Sequence, residues 1–449
     1  MGSLGSFALF LTVIFLAYVA LIMVPFVRHK DGPLGDAEVF SWHFFIPCRD
    51  EESVIANTIE RARSLFPDAH VWVIDDDSHD ETASITQRFV DVDSQVHLVR
   101  RTLPHARTGK GDALNAAYLQ LIDWLPADAE RERILVGVVD ADGELAANSL
   151  AAVAAPDVFG NPRVGAAQIT VRMKNRDDKR PYPAKGRLAN LFASYLIRMQ
   201  DAEFRTVIPA MQSLRSQTGT VGLGGNGQFT RLSVLDEIGA QFKKPWHGTL
   251  LEDYELGLHV LFAGYENRSV RESYVAQEAL PSLARLITQR ARWAQGNMQC
   301  IKYLKQIVGS PHFESIGVLE SAYYLVLPIL QMIGFVVVGA LMIGTVVLAV
   351  IDPSYLQAAY SNLWATCLIG LIFGAGPFLG WGALYKLRCE PTMSWFRATG
   401  VGFGLYFFQL YLIGSTTRAF VRILLRRNGW LKTRRNADAP TDGPVALES

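Results

Sequence analysis

Two apolar, almost uncharged regions flank a central stretch of ordinary globular composition, and this layout limits the possible folds more than any other feature of the chain. Residues 7–27 carry no charged side chain. At the helical rise of about 1.5 Å per residue, a segment of this length crosses a bilayer core of roughly 30 Å. The stretches 317–351, 363–385 and 398–413 are also nearly free of charge. We therefore expect one transmembrane helix, then a soluble domain, then an α-helical transmembrane region.

Charges next to the first apolar segment predict its orientation. The opening MGSLGS lacks the Lys or Arg of a cleavable signal peptide, whereas Arg28, His29 and Lys30 follow the segment. By the positive-inside rule the next domain is cytoplasmic, in a multi-pass protein of the plasma (inner) membrane. The basic segment 426–435 should be cytoplasmic too, yet one helix before the domain and three after it would leave that segment outside. A broken helix in 317–351, a re-entrant piece or an interfacial last segment would each resolve the conflict.

Composition argues against several other classes of protein. The 43 Lys and Arg residues balance 43 Asp and Glu residues, and no basic face interleaves with aromatic residues, so we expect no nucleic-acid partner. The cysteines are scattered, without a C-x-x-C or a His-Cys cluster, so neither a zinc site nor a disulfide framework is predicted.

The central region alternates strand-like and helix-like patterns. The runs WHFFIP, HVWVID, VHLVR and RILVGVVDAD read as strands, and helices are predicted over 53–65, 82–89 and 112–125. This order is typical of an α/β fold with a mostly parallel, Rossmann-like sheet. Ligands of such sheets bind beyond the carboxyl ends of the strands, where the segments IPCRDEE, DDDS and DAD all fall. We therefore expect these acidic groups to converge on one crevice.

Four short segments follow one another in a distinctive order: VIDDDS at 73–78, VVDAD at 138–142, LLEDYE at 250–255 and QRARW at 289–293. Together they resemble membrane-embedded, processive family 2 glycosyltransferases, such as cellulose, chitin, hyaluronan and poly-N-acetylglucosamine synthases. The resemblance implies a GT-A type domain over 31–282. A transmembrane helix over 1–30 would precede it. An amphipathic interface helix over 283–314, transmembrane helices over 315–420 and a basic, then disordered cytoplasmic tail over 421–449 would follow.

The resemblance assigns the first two acidic segments and the lysine loop to the nucleotide of a UDP-sugar. Asp76 matches the base-binding aspartate, with Asp77 as a helix cap; for the segment alone, capping is an equal alternative. Donor-binding candidates on the neighbouring strand end are Pro47, Arg49 and Glu51. In TGKGDALNAA, Lys110 and Gly111 precede a helix and match the segment that lines the nucleotide pocket. Without that context, Lys110 would be a surface lysine on a turn.

The pair Asp140 and Asp142 matches the DxD motif. By resemblance, Asp142 is the direct metal ligand and Asp140 lies close to the diphosphate and ribose. A hard cation such as Mg²⁺ or Mn²⁺ takes oxygen ligands and would neutralise the leaving nucleoside diphosphate. The alternative is a surface turn, but the run before it is too apolar to end in two aspartates without a purpose.

The later motifs are assigned to the acceptor and to the chemistry. The glycine-rich segment 222–231 admits no bulky side chain, and Gly225, Asn226 and Gln228 are the acceptor candidates. A flexible loop is an equal alternative for the individual glycines. Asp253 occupies the place of the family's general base, with Glu252 beside it, although Leu251 stands where the family often has Thr. Taken alone, the acid pair would be explained by stabilisation of a helix start.

The segment 283–303 has apolar residues at helical spacing, as an interfacial helix does. By resemblance, Gln289 and Arg292 close the active site over the diphosphate, and Trp293 stacks on the acceptor sugar. A generic membrane-surface helix with an anchoring tryptophan is the alternative.

These assignments predict an inverting, metal-dependent UDP-sugar β-glycosyltransferase that extends a polysaccharide and translocates it, with membrane lipids around it. A single-transfer glycolipid synthase with a lipid acceptor is the alternative. A catalytically silent nucleotide-sugar-binding scaffold is a third possibility, although a binding module does not need a general base.

Overall fold

A computed structural model describes residues 2–352, 354, 357, 361–427 and 429. Most of the basic segment 426–435 and the tail predicted to be disordered after it lie outside the described residues. Helices and strands are numbered below in chain order.

One 8-stranded sheet forms the centre of the soluble domain, with the strand order β3-β2-β1-β4-β7-β6-β8-β5. The strands are β1 (Ser41–Cys48), β2 (His70–Asp76), β3 (Val96–Arg101), β4 (Ile134–Val138), β5 (Glu144–Leu145), β6 (Val164–Met173), β7 (Gln228–Arg231) and β8 (Glu266–Gln277). β3, β2, β1 and β4 are parallel, as the sequence predicts. β7 runs antiparallel to β4 and β6, and β5 antiparallel to β8, so the sheet is mixed.

Helices cover both faces of this sheet. They are α2 (Ile55–Leu65), α3 (Thr82–Val90), α4 (Lys110–Trp124), α5 (Ser149–Val153), α6 (Arg187–Ala202), α7 (Ile208–Thr218), α8 (Leu232–Phe242) and α9 (Glu252–Phe262). Two further helices follow β8 and pack mainly against the apolar helices described below: α10 (Leu283–Cys300) and α11 (Leu304–Gly309). A π-helical turn, Glu203–Val207, joins α6 to α7.

The core lies on both sides of the parallel strands because β1 and β2 are apolar at successive positions, and successive side chains point to opposite faces. Phe44 and Val71 pack into one buried cluster with Ile55 of α2. Phe45 and Trp72 pack into the other. The double-sided core fixes the register of the strands, and with it the position of the acidic residues at their carboxyl ends.

In the described part of the chain six further helices, most of them apolar, accompany the sheet: α1 (Gly2–Arg28), α12 (Ser315–Ile351), α13 (Leu363–Ile369), α14 (Gly376–Leu384), α15 (Trp395–Phe408) and α16 (Tyr411–Leu424). Among the described residues, only α1 and α12 are long and apolar enough to cross a membrane. The stretch 317–351, for which a broken or re-entrant helix was one alternative, is a single helix of 37 residues with Pro328 inside it. The predicted segment 398–413 is divided between α15 and α16.

Charged side chains join the soluble domain to the apolar helices. Arg215 Nε of α7 donates to Glu320 Oε1 of α12 at 2.8 Å, and both side chains are buried. In the π-helical turn, Glu203 accepts from Arg290 at 2.5 Å and from Tyr411 of α16 at 3.1 Å. These contacts position the apolar helices beside the carboxyl ends of the strands.

Candidate active site

A cavity of about 500 Å³ opens at the carboxyl ends of β1, β2 and β4 and extends to the apolar helices. All but three of the predicted site residues line it: Pro47, Arg49, Glu51, Asp76, Lys110, Asp140, Gly225, Asn226, Glu252, Asp253, Gln289, Arg292 and Trp293. The exceptions are Gly111, Asp142 and Gln228. The structure thus brings together residues that lie more than 200 positions apart in the sequence.

Asp76 lies at one end of the cavity, where β2 ends. Its Oδ1 accepts a hydrogen bond from the Arg101 guanidinium and another, of 3.1 Å, from the backbone N–H of Arg107. Burial raises the pKa of this carboxyl, although the two donors act in the opposite direction. The cluster therefore holds a buried carboxylate at a fixed place beside the cavity.

The expectation that Asp77 caps the following helix is wrong. α3 begins only at Thr82, whose backbone N–H donates to Asp80 Oδ1 at 3.0 Å. Asp77 instead has a left-handed backbone, with a φ of 61°, and pairs with Arg107 at 3.0 Å. The aspartate run makes a turn rather than a helix start, since Asp tolerates positive φ better than most residues do.

Hydrogen bonds hold the segment after β1 against the loop before α3 and against the first residue of α3. The backbone N–H of Asp50 donates to Ser78 Oγ at 2.9 Å, and that of Glu51 donates to Thr82 Oγ1 at 2.7 Å. Asp50 has a left-handed φ of 52°. This turn leaves the side chain of Arg49 on the cavity wall, between the ends of β1 and β2.

Lys110 is the central cation of the site. Its Nζ donates to Asp140 Oδ1 at 2.7 Å and to the Gly225 carbonyl at 2.6 Å. Burial alone would lower its pKa, but the charges of Asp140 and Glu252 outweigh burial and raise it. Gly111 has a packing role: a Cβ there would lie 2.7 Å from the His247 carbonyl oxygen. Its lack of a side chain lets α4 begin close to that backbone, with Lys110 turned into the cavity.

The two aspartates of VVDAD differ in environment. The side chain of Asp140 is about one-third exposed, lines the cavity, and is paired with Lys110. Asp142 is buried, and its Oδ2 accepts a hydrogen bond of 3.1 Å from the backbone N–H of Glu278. The cavity wall therefore carries Asp140, while Asp142 lies beneath it at the end of β8.

Glu252 and Asp253 begin α9 and are both buried against the cavity. Asp253 Oδ1 accepts from the backbone N–H of Tyr254 at 2.7 Å. Burial, followed by the negative charge of Glu252, raises the pKa of Asp253 to about 7. Burial also raises the pKa of Glu252, against the opposing charges of Lys110 and Arg292. A carboxyl with a pKa near neutrality is matched to general acid–base work.

The glycine-rich segment lies against these charged groups. A Cβ on Gly225 would stand 3.1 Å from Lys110 Nζ and 3.2 Å from Asp253 Oδ2, which explains the need for glycine. Asn226 is held in place by Gln277 Oε1 at 2.9 Å and by Gln168 Nε2, which donates to its carbonyl at 2.8 Å. Gln228, an acceptor candidate, is fully buried in β7, away from the cavity wall.

Gln168 and Gln277 line the cavity but escaped prediction, because isolated glutamines on strands belong to no motif. Arg290 was also missed as a supporting residue. Its guanidinium carbon lies 4.4 Å from the centre of the Trp293 ring while its Nη2 pairs with Glu203. α10 thus presents Arg292 and Trp293 to the cavity and uses Arg290 to hold the tryptophan.

The far end of the cavity is lined by residues from the apolar helices. α12 contributes Tyr324, Leu327, Pro328 and Gln331, and α16 contributes Tyr411, Leu412, Ser415 and Thr416. Arg215 of α7 and Asn297 of α10 lie on the same wall. None of these residues carries a sequence signal for function, because helical apolar runs look alike whether or not they border a site. One cavity therefore connects a cluster of charges to a wall of mixed apolar and polar side chains from the apolar helices.

Comparison with known proteins agrees with this architecture. The beta-monoglucosyldiacylglycerol synthase of Synechocystis sp. is 26% identical over 437 residues, or 93% of this chain and 81% of that protein. The poly-beta-1,6-N-acetyl-D-glucosamine synthase of Staphylococcus epidermidis is 23% identical over 264 residues, or 58% of this chain and 55% of that protein. The chain spans about half the length of this second relative.

Among solved structures, the mannosyltransferase PcManGT from Pyrobaculum calidifontis, in complex with GDP-Man and Mn²⁺, has a TM-score of 0.54. It is 16% identical and is matched over 93% of this chain and 97% of its own. This likeness shows a GT-A fold. A family model described as "Glycosyltransferase like family 2" matches residues 42–296. More than half of the chain follows that model, and the protein belongs to glycosyltransferase family 2.

Proposed function

We propose that the protein transfers one sugar from a UDP-sugar to the hydroxyl group of a membrane lipid and forms a β-linked glycolipid. The observation that carries this proposal is the continuity of the cavity from Lys110 and Asp253 to α12 and α16. Similarity to the beta-monoglucosyldiacylglycerol synthase of Synechocystis sp. over 93% of the chain supports it further. The glycolipid synthase, rather than the polysaccharide synthase, is therefore the better reading of the site.

The donor would occupy the sheet end of the cavity. Its base would lie near Asp76 and Arg49, and its diphosphate near Lys110 and Arg292. Cations are needed there because the departing nucleoside diphosphate gains negative charge. The sugar would then lie between the diphosphate and Asp253, on the part of the cavity wall that includes Gly225 and Asn226.

In the transfer step, the Asp253 carboxylate would take the proton of the acceptor hydroxyl as its oxygen attacks the anomeric carbon. The new carbon–oxygen bond forms while the bond to the diphosphate breaks, and that electron pair leaves with the diphosphate oxygen. A single displacement of this kind inverts an α-linked donor to a β-glycoside. General-base assistance contributes about 10²- to 10⁴-fold to the rate.

The donor atoms at the sheet end fit a hard divalent cation. Asp140 offers carboxylate oxygens to the cavity, where one of them is paired with Lys110 Nζ at 2.7 Å. Asp140 would hold Mg²⁺ or Mn²⁺ from the cavity wall, whereas Asp142, the ligand that the DxD resemblance implies, is buried beneath that wall. When bound, the ion supplies electrostatic stabilisation to the diphosphate. PcManGT was solved with Mn²⁺, which supports the same use in this chain.

We further propose that α1 and α12 anchor the enzyme in the cytoplasmic membrane, with the sheet domain on the cytoplasmic side. Side chains on the later part of α12 are exposed, among them Val336 at 64% and Met342 at 66%. Exposed apolar surface of this extent is stable in contact with lipid rather than water. A lipid acceptor would then reach the cavity from the bilayer beside α12.

A polysaccharide synthase is the second candidate, favoured by the Staphylococcus epidermidis relative. Incubation of the purified protein in nanodiscs with UDP-sugars, Mn²⁺ or Mg²⁺ and diacylglycerol separates the two. A lipid-sized radiolabelled product, absent from Asp253→Asn, is the expected result. A high-molecular-weight product would favour the second candidate, and no UDP release from any donor would refute both and favour a silent scaffold.

A further inference from the structure

Two buried polar atoms at the far end of the cavity, beside the apolar helices, lack hydrogen bonds. Arg215 Nη2 is a donor and Asn297 Oδ1 is an acceptor, and neither has a partner within the described part of the chain. The residues are only 5% and 6% exposed, and both line the cavity. An unsatisfied buried polar atom is costly, so such atoms normally face a ligand, an ion or water.

Arg215 is fixed so that one part of its guanidinium stays available. Its Nε donates to Glu320 Oε1 at 2.8 Å, and its guanidinium carbon lies 3.9 Å from the centre of the Tyr324 ring. Thr220 Oγ1 occupies the other Glu320 oxygen at 3.0 Å. Both carboxylate oxygens of Glu320 are therefore already hydrogen-bonded. Arg215 Nη2, on the cavity wall, has no partner within the described part of the chain.

Asn297 is fixed by a proline in α12. Pro328 has no N–H, so the carbonyl of Tyr324, four residues earlier, lacks its usual helical donor. Asn297 Nδ2 supplies the missing hydrogen bond at 3.2 Å. A carbonyl accepts only from the amide nitrogen, so this contact determines which way the amide points. The Oδ1 atom therefore remains as an acceptor.

We propose that Arg215 and Asn297 form the subsite for the polar part of an uncharged lipid acceptor. Arg215 donates to an ester or hydroxyl oxygen of the acceptor, and Asn297 accepts from a hydroxyl group. Arg215 contacts the Tyr324 ring and Asn297 bonds to the Tyr324 backbone carbonyl, so the free N–H of Arg215 and the free oxygen of Asn297 belong to side chains held by the same residue. This inference rests on the proposed glycolipid function and specifies the class of lipid.

The charge balance of the subsite selects against a phosphorylated lipid. Glu320 already neutralises Arg215, at 2.8 Å, inside a buried region. A lipid phosphate bound to Nη2 would put a second anion beside Glu320, which is unfavourable where water does not screen charge. A neutral oxygen accepts the free N–H without that repulsion. The subsite therefore fits a diacylglycerol-type alcohol better than a polyprenyl phosphate.

The test compares acceptors and variants in mixed micelles of the full chain. Dioctanoylglycerol is the neutral probe and a polyprenyl phosphate is the charged one. Loss of one partner of a buried ion pair is strongly destabilising, so Arg215→Met is combined with Glu320→Gln. Asn297→Leu is the independent second variant. Gln295→Leu is its matched control, because Gln295 is a buried amide on the same helix that does not line the cavity.

The unaltered enzyme should glycosylate dioctanoylglycerol and not the polyprenyl phosphate. The double variant and Asn297→Leu should each raise the KM for dioctanoylglycerol by about ten- to a hundredfold. UDP release without acceptor, which reports the donor site, should be unchanged, as should the KM of Gln295→Leu.

An unchanged KM in Asn297→Leu and in the double variant would overturn the subsite, as would a preference of the unaltered enzyme for the phosphate. Failure of the unaltered enzyme to transfer sugar to either lipid, while it hydrolyses donor, would instead refute the proposed function.

Discussion

The acid pair at the start of α9 makes the rate of this enzyme depend on pH in a defined way. Burial and the charge of Glu252 raise the pKa of Asp253 to about 7. A general base acts only when deprotonated, so kcat/KM should rise as the pH passes through this value. With a pKa of 7, about one-tenth of the enzyme is active at pH 6 and about nine-tenths at pH 8. The predicted rise across this range is therefore about tenfold.

Glu252→Gln tests the cause of that rise. The substitution removes one negative charge next to Asp253 and keeps the size of the side chain. The pKa of Asp253 should fall, although burial, the larger cause, still keeps it above its ordinary value, so the rise in rate should move to lower pH and part of the activity lost at pH 6 should return. The assay is UDP release, with saturating metal and acceptor, at half-unit steps from pH 5.5 to 8.5.

Glu255→Gln is the matched control. Glu255 lies on the same helix and is fully buried, but it does not line the cavity. Its carboxylate accepts a hydrogen bond of 2.6 Å from the Tyr303 hydroxyl and pairs with Lys302 Nζ at 2.8 Å. Glu255→Gln should therefore leave the acid limb, the fall of kcat/KM below about pH 7, unchanged. An acid limb that stays near pH 7 in Glu252→Gln, or a rate independent of pH between 6 and 8 in the unaltered enzyme, would refute the argument.

Three further predictions address other parts of the molecule. Gly225→Ala should lower kcat by about tenfold or more with little change in melting temperature, since the new methyl meets the far ends of Lys110 and Asp253, 3.1 and 3.2 Å away. Burial lowers the pKa of His43 to about 3, so its contribution to stability is complete above pH 6.5 and is lost at lower pH. His43 should account for about 2 kcal/mol of the unfolding free energy lost between pH 7 and pH 5, so His43→Gln should make that loss smaller by this amount, while His97 and His259, whose pKa values are lowered to about 4, still contribute. Chelation by EDTA should abolish UDP release, which Mn²⁺ or Mg²⁺ should restore, and Asp140→Asn should raise the metal concentration required.

The neutrality of His43 has a visible cause. Its Nδ1 accepts from Trp72 Nε1 at 3.1 Å, and its Nε2 lies 3.2 Å from Ser41 Oγ. The neutral ring satisfies both contacts, with the proton on Nε2. A second proton would have to occupy Nδ1, which faces another N–H. The hydrogen bond from Trp72 therefore acts in the same direction as burial and keeps the ring neutral.

Much of the fold follows from the sequence because each strand of the parallel half has an unambiguous pattern. Runs such as WHFFIP and HVWVID are apolar on both faces, so they must be central strands. Their acidic ends then meet at one edge, which explains why Asp76 and Asp140 were placed correctly on the cavity. The antiparallel return through β7 was not predicted, because the glycine-rich segment before it has no periodicity.

The acceptor end of the site could not be predicted in the same way. Arg215 and Asn297 are isolated polar residues in helices. Their nearness to each other and to the cavity can be recognised only once α7, α10 and α12 are packed together. The burial of Asp142 beneath β8 likewise depends on a hydrogen bond from Glu278, a residue 136 positions later. Contacts of such long range leave no local pattern for a motif to record.

In the proposed transfer, Asp253 would act on a water-soluble sugar nucleotide and a membrane lipid, two substrates that reach the site from different environments. A sugar nucleotide is highly charged and needs cations such as Lys110, whereas a lipid acceptor needs an apolar wall. In the proposed transfer both substrates would meet at the start of α9, where burial raises the pKa of Asp253. A fully hydrated aspartate would ionise easily but would be a weak base at neutral pH. In the proposed transfer, burial and the charge of Glu252 would therefore give this carboxylate the basicity that activation of an alcohol requires.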